Sequence, residues 1–143
     1  MALSPKLSDV AINAAADVVC SLLNGGYLRL YSGSQPATAS TAITSQMQLA
    51  ELRFSSKAFA PAAGGVAAAN AIAPDKAAAA VGMAQWFRAF KSDGLTSVFD
   101  GSVGINNPAA KPPQLYNVAL KNNSIVRDAE IRIDSFSYRQ PDK

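Results

Sequence analysis

The stretch VGMAQWFRAFKSDGLTSVFDGSVG, residues 81–104, decides how this chain is read. It has the pattern of a β-hairpin. Side chains alternate along a strand, so Met83, Gln85, Phe87, Ala89 and Lys91 share one face. Ala84, Trp86, Arg88 and Phe90 share the other. Ser92-Asp93-Gly94 is the turn, because Gly accepts a positive φ and Asp tolerates it. Residues 95–100 return as the second strand, with Val98 and Phe99 on opposite faces. The single Trp and two of the six Phe lie on the first strand. Burying such a side chain is worth about 2–3 kcal/mol, so the core is expected to condense around this strand.

On the N-terminal side, residues 1–7 read as a short arm and 8–24 as a helix. Ser4-Pro5 and, one turn later, Ser8-Asp9 are both competent to start it. Asn24-Gly25-Gly26 stops it. Its polar residues, Asp9, Asn13, Asp17, Ser21 and Asn24, form one narrow stripe. A single sheet face covers about half of a helix, and this one is apolar over more than that. Two readings follow: tight packing in a groove of its own domain, or a side that meets a neighbouring subunit.

YLRLY at residues 27–31 alternates as a half-buried strand, Leu28 and Leu30 inward, Tyr27, Arg29 and Tyr31 outward. A polar loop rich in Thr, Ser and Ala spans 37–46. Residues 47–54 form the next strand, with Ala50, Leu52 and Phe54 inward, Glu51 and Arg53 outward, and Phe59 as an anchor just beyond. Residues 61–65 turn. Residues 66–72, rich in the weak strand former alanine, compete between helix and strand; Gly64-Gly65 before and Pro74 after favour a strand with Val66, Ala68, Asn70 and Ile72 on one face, and 75–81 reads as a loop.

Beyond the hairpin, residues 101–114 carry three Pro, two Gly and two Asn and read as a long surface loop, a plausible contact arm. Residues 115–120 form a short strand, Asn122-Asn123 a turn, and 125–138 a long strand with room for a bulge. The expected architecture is mainly β: an antiparallel, jelly-roll-like β-sandwich with one N-terminal α-helix. It is a single domain over residues 1–143, with the sandwich at 27–138 and a tail at 139–143.

The chemistry-bearing residues are sparse. Charged residues make up only 16% of the 143 residues, and 49% are hydrophobic. Such a low charge fraction fits either a surface covered by a partner or a neutral Ala/Ser/Thr/Asn surface. Thirteen cations and ten anions are interleaved, for a net charge of +3, with no basic stripe. No nucleic-acid partner is expected. The apolar run at 10–23 is too short and too interrupted to cross a membrane, so no membrane partner is expected. With no histidine, Ser-His and Cys-His nucleophile pairs and His metal sites are excluded. The single Cys20 allows no intrachain disulfide and reads as a small buried residue. Asp17 and the bulk of Val19 argue against a lipoprotein cleavage site at Val18-Val19-Cys20.

Three groups have the outline of a site. Asp100-Gly101-Ser102 has the outline of a calcium loop but reads as a turn, since acids are missing at the other ligand positions. Asp128, Glu130 and Asp134 alternate along one strand with Arg132 among them. A carboxylate pair serves a glycosidase, but this strand lacks the aromatics of a sugar cleft and reads as a solvated or intersubunit face. Gly64-Gly65 and Gly101–Gly104 do not match a phosphate loop. No catalytic, cofactor-binding or metal residue is therefore assigned, and the chain is not expected to be an enzyme.

Several segments, in order, resemble a family of small structural proteins of tailed bacteriophages. They are LRLYSGSQPAT at 28–38, LAELRF at 49–54, AANAI at 68–72, WFRA at 86–89 and FDGSVG at 99–104. The resemblance covers about residues 20–138, and the YSGSQP and FDGSVG turns carry most of it. Two segments depart from the pattern: a Pro-rich loop at 105–114 and an unusually charged last strand. The resemblance implies a virion component, a capsid cement or decoration protein that binds and stabilises the shell of major capsid protein. It implies a homo-oligomer, on the capsid surface in the virion and in the host cytoplasm during assembly. Two other readings stay open: another virion part, such as a head–tail connector or a tail or fibre-base protein, and a carbohydrate-binding module.

Overall fold

The computed structural model of the chain describes residues 3–141. Parts of the expected arm and tail, residues 1, 2, 142 and 143, lie outside it. Helix α1 is Asp9–Ser21, capped by Ser8, whose Oγ accepts from the Ala11 amide at 3.2 Å. Ser4-Pro5 is not used as a start; residues 3–8 are non-helical. Beyond the helix Gly25 takes φ +66°, which only Gly adopts without strain. The expected helix at 8–24 is thus trimmed at both ends.

The expected hairpin forms the centre of the sheet. Strand β6, Trp86–Phe90, pairs antiparallel with β7, Ser97–Gly104. Asp93 Oδ1 accepts from the Leu95 and Thr96 amides in the turn, and Gly94 stands at φ +68°. β7 starts later than expected and runs on to Gly104, so Asp100-Gly101-Ser102 is strand rather than turn. Gly101 is there for space: a Cβ would lie 2.5 Å from the Phe87 ring on the facing strand.

On its other side β6 pairs with β1, Tyr27–Tyr31, and β1 with β2, Gln48–Phe54, both antiparallel. Four more strands complete the sheet: β3, Val66–Ala68; β4, Ile72–Ala73; β8, Val118–Ala119; and β10, Ser135–Arg139. The order is β3-β10-β8-β7-β6-β1-β2-β4. β7 and β8 run parallel, and the other pairs are antiparallel.

The antiparallel sandwich expected from the strand spacing is therefore replaced by one eight-stranded mixed sheet, and that sheet is strongly curled. Eight flat strands would hold the outer two about 34 Å apart at the usual spacing. Here the outer two, β3 and β4, end and begin four residues apart, a span of at most about 14 Å. The single strand expected at 66–72 splits because its first part pairs with β10 and its last part with β2. The buried side chain at its start is Ala67, on the face opposite Val66 and Ala68.

Curling makes an inside. Leu28, Leu30, Leu52, Phe54, Phe87 and Ala89 face it and are buried. Phe136 of β10 lies 5.0 Å from Phe87, 5.2 Å from Phe59 and 5.9 Å from Phe54, centroid to centroid. β10 and β2 are five places apart in the sheet, so their rings meet only across an enclosed interior. Helix α1 packs on β3 and β10, burying Ile12, Ala16 and Cys20.

The long last strand expected at 125–138 does not form. Asp128 takes φ +67° and breaks it. Its first part, β9, Ser124–Ile125, pairs with β5, Gly82–Met83, in a separate two-stranded sheet. Residues 75–84 and 123–131 continue that ribbon irregularly, through an Asp75–Ile131 bridge and an Asp128 amide bond to the Ala78 carbonyl. Met83, expected on the first strand of the hairpin, belongs to this ribbon instead.

Candidate functional site

The helix is the first surface to resolve. Three residues of the polar stripe bond to the protein's backbone, while Asp9, Asp17, Ser21 and Asn24 stay exposed. Asn13 Oδ1 accepts from the Gly65 amide at 2.8 Å, Asp17 Oδ1 from the Ala62 amide at 2.7 Å, and Asn24 Oδ1 from the Ala58 amide at 2.9 Å. These three side chains satisfy the backbone of a segment with little ladder of its own. The face left to solvent carries Val10, 80% exposed, Val18, 63% exposed, and Leu22, 42% exposed, with exposed Ala14 between the two valines.

A second, uncharged surface lies where the ribbon meets the end of β7. Met83, Ala84, Gln85, Val103, Gly104, Ile105, Tyr116 and Asn123 line an open cleft of about 440 Å³ without a charged side chain. Met83 and Ile105 are about half exposed. The Tyr116 ring lies over Gly104, where a Cβ would come within 2.6 Å of it. The Tyr116 amide is held by Asn106 Oδ1 at 2.8 Å, and residues 107 and 114 bridge. The segment expected as a contact arm at 105–114 is thus a braced projection.

A third feature is enclosed. On the outer face of the sheet Tyr31 stacks on Trp86, with ring centroids 4.5 Å apart and planes at 16°. Beside them Arg88 and Asp100 form a buried two-pronged ion pair, Nε to Oδ1 at 2.7 Å and Nη2 to Oδ2 at 3.0 Å. The polar loop lies over this face as a strap. Arg88 donates to the carbonyls of Thr41 and Thr38, and Ser97 Oγ to that of Ala39. The hydrogen bond to Asp100 raises the Arg88 pKa above its ordinary value against the opposing effect of burial. Burial likewise raises that of Tyr31. Trp86 Nε1 is buried without a hydrogen-bond partner.

Tyr31, expected outward, is buried because the strap covers it. Trp86 lies on the face opposite Phe87, where the alternation places it, and is buried there. The turn alone does not set the Arg88–Asp100 pairing: a register shift between Ala89 and Phe90 brings Arg88 opposite Asp100.

The structure does not gather the other candidate residues into a site. Both Asp100 carboxylate oxygens are engaged by Arg88 and are not presented to a cation. Glu130 pairs with Arg132, and these two share a shallow cleft with Lys121 and Asp134 that has no aromatic lining. Asp128 sits at the break in the strand. Gly64 and Gly65 form the tight turn before β3, both at positive φ. Cys20 is buried, and burial, with Asp17 nearby, pushes its thiol up to about 12, so it is a poor nucleophile. Among the described residues no three Cys, Asp or Glu side chains form a cluster fit for a metal ion. No helix among them is long and apolar enough to cross a membrane.

No protein-family model, curated protein or solved structure matches this chain.

Proposed function

We propose that this chain is a structural protein of a tailed-phage virion, a cement or decoration protein that binds the shell of major capsid protein. The observation that carries the reading is the uncharged cleft at the ribbon end, with Met83, Ile105 and Tyr116 at its rim. A surface of this kind loses little on desolvation and gains from apolar burial. It stands on a curled sheet with an apolar, packed interior and beside a braced loop, so little ordering cost falls on binding. A shell offers the same contact many times, and copies linked to one another sum weak contacts into a strong one. The resemblance at YSGSQP and FDGSVG supports the same class.

The test is the location and copy number of the chain in purified particles. A cement protein stands in fixed ratio to the major shell protein and maps to the shell surface. A low copy number at a vertex or on the tail would make it a connector or tail component instead. Ile105→Asp is expected to leave the melting temperature unchanged and to abolish rebinding to bare shells. Undiminished rebinding would remove the cleft from the contact.

A further inference from the structure

Helix α1 has two apolar faces, and its own fold covers one. Ile12, Ala16 and Cys20 are buried, while Val10, Ala14, Val18 and Leu22 are exposed. These four follow one another at intervals of four residues, one ridge along the helix. No charged side chain lies on that ridge. The exposed acids of the helix, Asp9 and Asp17, lie off the ridge, and Asp17 and Asn13 accept from the amides of Ala62 and Gly65.

We propose that two copies of this chain pair through α1, antiparallel, about a two-fold axis at Ala14. The ridge is self-complementary in that direction. Val10 and Val18 lie four residues on either side of Ala14, so each Val10 meets the partner's Val18. The small side chain at the axis allows interhelical approach near 8 Å, the close end of the usual range. Charge selects the direction. α1 carries Asp9 in its first turn and no basic residue in its last, and Lys6 stands exposed just ahead of it. Antiparallel pairing brings the partner's Lys6 to the end of the helix where the macrodipole is negative. Parallel pairing would set Lys6 beside the partner's Lys6 and align like dipole ends. A membrane surface is a poorer occupant, since interfacial helices line their polar face with basic residues and this helix has none between Asp9 and Ser21.

The pairing does not rest on shell binding; it is a property of the chain alone. Sedimentation of the purified full chain is expected to give twice the monomer mass. Val18→Asp is expected to give monomers with unchanged circular dichroism, since the side chain is exposed, and a melting temperature that no longer depends on protein concentration. Ala14→Cys, mildly oxidised, is expected to cross-link to a dimer, the axis holding the two positions within disulfide range. Val10→Cys and Val18→Cys are each expected to stay uncrosslinked alone and to cross-link when mixed. Cys20 is buried, and the parent chain serves as the blank. A chain that is monomeric throughout overturns the proposal, as does a dimer indifferent to Val18→Asp. A monomer that loses shell binding on Val18→Asp also overturns it, assigning the face to another protein. Cross-linking of Val10→Cys with itself overturns the antiparallel arrangement.

Discussion

Strand β6 is buried on both faces, and the two faces are enclosed by different means. Phe87 and Ala89 look into the curled sheet, where rings from β2, β7, β10 and the segment at Phe59 close around them. Trp86 and Arg88 look outward and are covered by a loop of Thr, Ser and Ala. The inner enclosure is made by the sheet itself and cannot be lifted without unfolding it. The outer one is laid on afterwards and is tied by a single guanidinium and one serine hydroxyl. Burial alone does not separate these cases. What separates them is whether the covering atoms belong to the ladder or to a loop.

Breaking the inner face should have the largest effect. Phe87→Ala is expected to cost about 3–5 kcal/mol, the usual range for an aromatic truncated in a packed core. Trp86→Phe gives the contrast. It keeps a ring on Tyr31 and removes an indole N–H that has no partner, whose burial costs about 1–3 kcal/mol. The loss of buried area and the relief of that donor oppose each other, so the expected net change is small. Chemical denaturation of both variants checks this. If Trp86→Phe destabilises as much as Phe87→Ala, the two faces are energetically alike and the distinction fails.

Next in size is the ion pair under the strap. Asp100→Asn leaves Arg88 buried without its counter-charge, with an expected cost of about 3 kcal/mol, the low end for a broken buried pair. The carbonyls of Thr38 and Thr41 remain with the guanidinium and limit the loss. The double replacement Arg88→Met with Asp100→Leu removes both charges and is expected to recover most of that stability. It also unties the strap, so amide exchange across residues 38–46 should rise even as global stability returns. A double variant with full stability and an unchanged strap would show that Arg88 is not what holds it down.

The same contrast explains which parts of the fold were legible in the residues. The helix start at Ser8 and the turn at Ser92-Asp93-Gly94 are local events, decided by side chains within three positions. Leu28 and Leu30 were legible because alternation reports the inner face. Tyr31 was not, because its cover is a polar loop with no periodicity, 47 to 50 residues from the arginine that tethers it. The polar stripe on α1 was visible, but its bonds to the backbone were not: an Asn that accepts from Gly65 looks the same in sequence as one that meets water. Residues 66–73 carry no mark that their two ends serve opposite edges of the sheet. The break at Asp128 sits among alternating residues that read as uninterrupted strand. Of the surfaces, the low charge density announced that partners are plausible, but only the packing separated the covered face of α1 from the open one.

The smallest expected effect lies in the turn that joins β6 to β7. Asp93 is exposed, and both its oxygens are engaged: Oδ1 by the Leu95 and Thr96 amides, Oδ2 by the Thr96 hydroxyl at 2.6 Å. These bonds favour the ionised carboxylate, the Thr96 hydroxyl foremost, and lower its pKa from 3.8 to about 2. The folded value lies below the unfolded one, so the contribution to stability is complete above the unfolded value. It is lost as pH falls through the folded value. The denaturation midpoints of the parent chain and Asp93→Ala should therefore differ by a constant amount at neutral pH. The gap should narrow as pH falls from about 4 to about 2, the window those two pKa values define. Arg88 stays charged throughout that window, its pKa being raised rather than lowered. The Arg88 side of the strap tether therefore adds no pH dependence of its own to either chain. A gap that stays constant down to the lowest pH would mean that the ionised carboxylate contributes nothing to the turn, and that Gly94 with its positive φ sets the hairpin unaided.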